Sequence, residues 1–167
     1  TGVPGYPELS LSAGEVYTSH DHDDHGWVRA VRIEDEPGES PFKVTTVDCF
    51  HDPEGGALRG GNKITVFEVL GKRIAHLGDL GHQLGEEQVK SIGACDVREA
   101  KQVADVLDPA VIIPMHYRTG RYGFDVIAEP EEFLRLCTDR RIIREDTAVW
   151  EVDDSGERRV VLLKFEA

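Results

Sequence analysis

Between Ser19 and Gly26 the chain reads Ser-His-Asp-His-Asp-Asp-His-Gly, three histidines and three aspartates in consecutive positions. Neutral imidazole and ionised carboxylate together suit zinc, iron or manganese rather than calcium, whose ligands are almost all oxygens. The preceding Glu15-Val16-Tyr17-Thr18 is short and partly β-branched, and it reads as a strand ending at the histidines. Alternate residues of an extended backbone point the same way, so His20 and His22 can reach one ion together. Asp24 and His25 fall where the backbone must turn and can face a second ion. The competing reading is a solvated acidic run with incidental histidines, which the H-x-H-x-D-H spacing disfavours.

The elements around this stretch deliver further candidates to strand ends. Lys43 to Phe50 is β-branched and ends at His51; a glycine-rich loop from Pro53 to Gly61 follows. Lys63 to Leu70 alternates as a strand, Gly71-Lys72 turns it, and Arg73 to Leu77 returns to end at Gly78-Asp79. Ala110 to Met115 is a short apolar strand before His116. Helices are expected over Leu84 to Ile92 and Arg98 to Leu107, the latter with Val103, Ala104 and Leu107 on one face and Pro109 just beyond. Pro130, followed by Glu131 and Glu132, opens a third. Ala148 to Val152 and Arg159 to Phe165, around Asp153-Asp154-Ser155-Gly156, read as a terminal hairpin.

Taken together, H-x-H-x-D-H, Phe50-His51-Asp52, Arg59-Gly60-Gly61-Asn62, His76-Leu77-Gly78-Asp79-Leu80-Gly81-His82 and Ile113-Pro114-Met115-His116-Tyr117 resemble the metallo-β-lactamase-fold hydrolases. Within them the chain is similar to a small cytoplasmic branch related to ascorbate-6-phosphate lactonase, and the resemblance covers nearly all of it. It implies an α+β fold, the four-layer αββα sandwich, as a single domain over residues 1–167. It implies one metal on His20, His22 and His51, a second on Asp24, His25 and His116, and Asp79 bridging them. The cofactor would be two divalent ions, zinc by default with manganese as the rival. Two such ions about 3.5–4 Å apart activate water at neutral pH. The implied reaction is hydrolysis of a small ester, lactone or phosphoester, with Asp24 and Asp79 at the reacting water and His82 as a proton carrier. His76 is read either as a support for that site or as a packed strand residue. Arg59, Asn62, Tyr117 and Arg118 are the candidate substrate contacts; Asn62 is alternatively a turn residue and Arg118 half of a surface ion pair. The rival function is a non-catalytic metal-binding or interaction protein that keeps the fold.

Against the family pattern two pieces have no counterpart. The chain opens Thr1-Gly2-Val3-Pro4-Gly5-Tyr6-Pro7, where related proteins carry an N-terminal hairpin, and only Gly93 to Val97 separates two helices between which they place a strand and a glycine-rich loop. The natural protein is expected to have both, the internal piece falling between Val97 and Arg98.

Composition narrows the partners. With 167 residues and 40% hydrophobic content the chain can bury a core of its own. A net charge of −13 argues against a nucleic-acid-binding surface, which needs a basic stripe. It leaves room for an anionic small-molecule substrate, since divalent cations reverse the local field. No apolar run reaches membrane-span length, so no membrane partner is expected. Cys49, Cys95 and Cys137 are odd in number and widely spaced, which reads as buried free thiols in the cytoplasm. A homo-oligomer is left open.

Overall fold

The computed structural model describes residues 11–22, 25–26, 28–35, 38–92, 99–120, 122 and 128–164. They are mixed α and β and fall into two compact units, which divide at residues 95 and 96.

In the first unit, β1 (Leu11–Ala13) pairs in parallel with β2 (Val31–Ile33), just after a 3-10 turn at Val28–Ala30. The expected strand at Glu15 to Thr18 does not form. This segment has no ladder partner; it is held instead by the Tyr17 ring packed edge-on against Phe67 and by the Lys63 N–H donated to the Ser19 carbonyl.

The main sheet is antiparallel, in the order β3 (Lys43–Phe50), β4 (Gly61–Val69), β5 (Lys72–His76). The β-branched residues of β3 and the alternation of β4 account for it, with Asn62, Ile64 and Val66 all buried on one face of β4. Cys49, Leu77 and Ile92 are buried in the same unit. The β4–β5 loop places Leu70 at φ 50° and Gly71 at φ 74°, both in the left-handed region that a two-residue hairpin demands. The register sets Cys49 opposite Asn62 and Thr65 opposite His76. The end of β3, the start of β4 and the residues following β5 therefore meet at one end of the sheet. Helix α1 (Glu86–Ile92) is tied to β3 by Gln88, whose Nε2 donates to the Asp48 carbonyl at 2.9 Å while its Oε1 accepts the Gly85 N–H at 3.0 Å.

The second unit contains α2 (Glu99–Leu107), β6 (Val111–Ile112), α3 (Pro130–Leu134), β7 (Arg141–Arg144) and β8 (Arg159–Leu162). Its core gathers Ala104, Ile112, Leu134, Cys137 and Val160. The sheet order is β6-β8-β7, and both pairings are parallel. This overturns the expected terminal hairpin: residues 148–152 are not a strand, and β8 pairs with β7 instead. The reason is burial. Val160 and Val161 are wholly buried, as in a central parallel strand, whereas Val149 and Val152 are exposed. The Asp153–Gly156 turn does form, but buried Arg159 pins it through Asp153 at 2.7 Å and Glu157 at 2.9 Å, so it returns the chain to β8 rather than folding a hairpin.

Strand β6 is shorter than expected and ends at Ile112, so His116 stands in a loop rather than at a strand end. The expectations about an N-terminal hairpin and about the stretch between Val97 and Arg98 lie outside the described residues.

Candidate metal centre

The histidine motif lies on a turn, not on extended backbone. The His22 carbonyl accepts the N–H groups of both His25, at 3.0 Å, and Gly26, at 2.6 Å. That wraps the chain and stacks the His25 ring over His20, with centroids 4.6 Å apart. His22 meets His20 edge-on at 4.5 Å, and His51, arriving from the end of β3, lies 5.0 Å from His20 and 5.2 Å from His22. The turn thus brings His20 and His22 together, although the extended backbone expected to do so does not form.

Asp79 sits among these rings. Its Oδ2 is 3.3 Å from His51 Nε2, 3.4 Å from His25 Nε2 and 4.0 Å from His20 Nε2. Two groups of three donors result, His20–His22–His51 and His20–His25–Asp79, each with ligand atoms within 4.8 Å of one another.

A cation suits this donor set. His20 Nε2 and His51 Nδ1 are buried without any hydrogen-bond partner, an arrangement that is costly unless something positive or proton-donating occupies the space. Burial pushes the His20 imidazole below its ordinary pKa; its histidine neighbours act in the same direction and the Asp79 carboxylate opposes them. Burial likewise lowers His51, with Asp79 opposing and the charges of His22, Arg59 and His25 adding to it. Neutral rings are the form that ligates metal. His20 is also oriented, since its Nδ1 is 2.9 Å from the Ser19 hydroxyl and Nε2 is left to face the cluster.

The loops are shaped for this assembly. Gly78 has φ 59°, and a Cβ there would lie 2.3 Å from Asn62 Oδ1 and 2.4 Å from Ser19 Cβ. Asp52, next to His51, accepts four backbone N–H groups: Glu54 and Gly56 on one carboxylate oxygen, Leu58 and Arg59 on the other. Burial alone would raise its pKa; these donors outweigh it and hold the carboxyl below the usual range. Ser19 and Asp52 brace the segments that carry His20 and His51, a part that sequence reasoning did not assign to them. Their only signal is position, one residue before the first histidine of the motif and one residue after His51.

Two expected roles change. His82 accepts the Phe50 N–H on Nε2 at 3.1 Å and contacts the Gln83 carbonyl through Nδ1 at 2.7 Å. A carbonyl only accepts, so Nδ1 carries the proton and both nitrogens are committed to backbone, which corrects the proton-carrier assignment. Asn62 is 2% exposed, and its amide is fully engaged inside the protein. It is neither a substrate contact nor a turn residue. His76 Nδ1 accepts the Gly78 N–H at 3.2 Å, in keeping with the packed reading, and burial lowers its pKa.

Arg59 is exposed on the loop that Asp52 organises. Asp24 lies outside the described residues. His116, Tyr117 and Arg118 belong to the second unit. There His116 is exposed, with φ 56°. Tyr117 donates to the Leu163 carbonyl at 3.4 Å, and Arg118 lies 3.5 Å from Glu129, the ion pair that was the alternative for it.

Residues 3–116 match the model of the beta-lactamase superfamily domain. A solved structure from Thermotoga maritima, described as a candidate Zn-dependent hydrolase of the metallo-β-lactamase superfamily, is similar over 92% of this chain and 83% of its own, with 33% identity and a TM-score of 0.65. The chain belongs to the metallo-β-lactamase superfamily and has its α+β fold. Among curated proteins it is 31% identical to a UPF0173 metal-dependent hydrolase of Methanosarcina barkeri, across 56% of this chain and 47% of that one. It is 28% identical to another of that name from Thermococcus onnurineus, across 59% and 49%. The chain spans about half the length of the curated relatives it matches.

Proposed function

We propose that this chain belongs to a dinuclear metal-dependent hydrolase that cleaves a small ester, lactone or phosphoester. The observation that carries the reading is the packing of four histidines and Asp79 into two ligand groups sharing His20, with buried, unpartnered imidazole nitrogens among them. The names of the relatives, metal-dependent hydrolase and candidate Zn-dependent hydrolase, point the same way. His20, His22 and His51 would hold one ion and His25 the other, with Asp79 bridging them. Bound there, divalent ions would supply Lewis acidity and a water acidic enough to react at neutral pH. Zinc is the first choice for this donor set and manganese the second.

Within this reading the protein's own residues keep the imidazoles neutral, orient His20 through Ser19 and place Asp79 among the rings. Arg59, exposed on the loop that Asp52 organises, would contact the substrate, and its cationic charge favours an anionic one. Buried free thiols at Cys49 and Cys137 fit the reducing cytoplasm. No helix among the described residues is long and apolar enough to cross a membrane.

The test is metal content of protein purified without chelator or nickel resin, by inductively coupled plasma mass spectrometry, for the parent and Asp79→Ala. About two equivalents of one metal, falling in the variant, together with turnover of lactone or phosphodiester substrates, is the expected result. Substoichiometric metal unaffected by the substitution would overturn the metal centre. Full metal without turnover would favour the binding-protein alternative.

A further inference from the structure

We propose that Asn62 is a positioning residue for the metal centre, fixing the Asp79 carboxylate among the histidines by clamping the backbone on both sides of Gly78. The proposal rests on the metal-centre reading above and adds to it the device that assembles the site.

The geometry is specific to an asparagine. Its side-chain amide has two donors and one acceptor, and all are used: Nδ2 donates to the Leu77 carbonyl at 2.8 Å and to Cys49 Sγ at 3.0 Å, while Oδ1 accepts the Asp79 N–H at 3.1 Å. One buried side chain therefore holds the residues before and after Gly78 and braces them against the end of β3. Gly78 closes onto it so tightly that no Cβ fits between Asn62 and Ser19. Ser19 in turn orients His20 through its hydroxyl, and its carbonyl accepts the Lys63 N–H at 2.8 Å. The segments bearing His20 and Asp79 are thus anchored to adjacent residues of β4, a strand whose register is fixed on both sides. Aspartate keeps the acceptor but loses both donors. Serine is too short to bridge Gly78, and glutamine is a methylene too long for a pocket already closed by Gly78.

The experiment compares Asn62→Ala with Val66→Ala. Val66 is buried on the same face of β4 and touches none of these hydrogen bonds, so it serves as a control for loss of packing alone. Three quantities are read: zinc affinity by competition with a chromophoric chelator, the visible spectrum of the cobalt(II)-loaded protein, and hydrogen exchange of the Asp79 amide in metal-free protein.

Asn62→Ala should weaken zinc by about 10–100-fold, the range for residues that orient ligands. It should also alter the cobalt spectrum and speed Asp79 exchange. Val66→Ala, even if it melts as early, should leave all three near the parent. Equal losses in both variants, or an Asp79 amide already unprotected in the parent, would overturn the proposal. Should the alanine variant not fold, Asn62→Asp, which retains an acceptor for the Asp79 N–H, should keep that amide protected while exposing the Leu77 carbonyl; loss of Asp79 protection there would overturn it too. A parent that binds neither zinc nor cobalt but keeps a protected Asp79 amide would sink the metal centre while leaving the clamp intact, so the two failures are separable.

Discussion

His82 Nε2 receives the backbone N–H of Phe50 at 3.1 Å, across the span from the end of β3 to the loop following Asp79. A histidine three residues from a candidate ligand invites a chemical role, yet this one seals a backbone donor beside His51. His82→Ala is expected to lower stability by about 1–3 kcal/mol and to leave the pH profile of any hydrolysis unchanged. Urea unfolding measured beside a pH–rate profile checks this. A normal unfolding midpoint with a lost limb in the profile would restore the proton-carrier role.

Gly78→Ala should be among the most damaging single changes in the first unit. The left-handed backbone costs a residue with a Cβ about 1–2 kcal/mol, and the methyl would also sit 2.3 Å from Asn62 Oδ1. Thermal unfolding well below the parent, with weakened zinc binding, is the expected outcome. A variant as stable as the parent would mean that the Asn62–Gly78–Ser19 contact is loosely packed.

The opposite sign is expected at Leu70, which occupies a left-handed turn position with its side chain almost wholly in solvent. Asparagine is at ease there and leucine is not. Leu70→Asn should raise stability by about 1 kcal/mol, visible as a shift of the urea midpoint with an unchanged slope.

Acid should loosen the second unit through Asp153. The Arg159 guanidinium, helped by Ser155, holds the Asp153 carboxyl far below the usual carboxylate range. A carboxylate depressed on folding contributes its stability fully above its unfolded value, about 3.9. That contribution is lost as pH falls below this value towards the folded one. Comparing parent and Asp153→Asn by urea unfolding between pH 3 and 7, the gap in midpoint should be constant near neutrality and shrink below about pH 4. A gap independent of pH would show that the Arg159 contact does not depend on the charge of Asp153.

The amino-acid sequence pointed to His20, His22, His25, His51 and Asp79 because their types and the H-x-H-x-D-H spacing suit a metal, and in the structure these side chains come together, though with the H-x-H-x-D-H stretch on a turn rather than at a strand end. It also placed β3 to within its observed ends, and α1 and α2 nearly so, because β-branched runs and helical spacing are local signals. Asn62 and Ser19 were obscure for a physical reason. A buried polar side chain is recognised by its partners, and those partners lie far along the chain, at Leu77 and Asp79 for Asn62. The parallel pairing of β7 with β8 was hidden likewise: Ala148 to Val152 has the apolar content of a hairpin arm, and only tertiary burial decides that β8 turns to Arg141–Arg144 instead.

The position of β8 between β6 and β7 has a consequence for biosynthesis. Among the described residues, 159–162 form the last strand of this sheet to be made and the only one paired with both others. On a ribosome, β6 and β7 would emerge with no partner and would present open edges until β8 arrives between them. The nascent second unit is therefore open to edge-to-edge association until residues 159–162 are in place between β6 and β7.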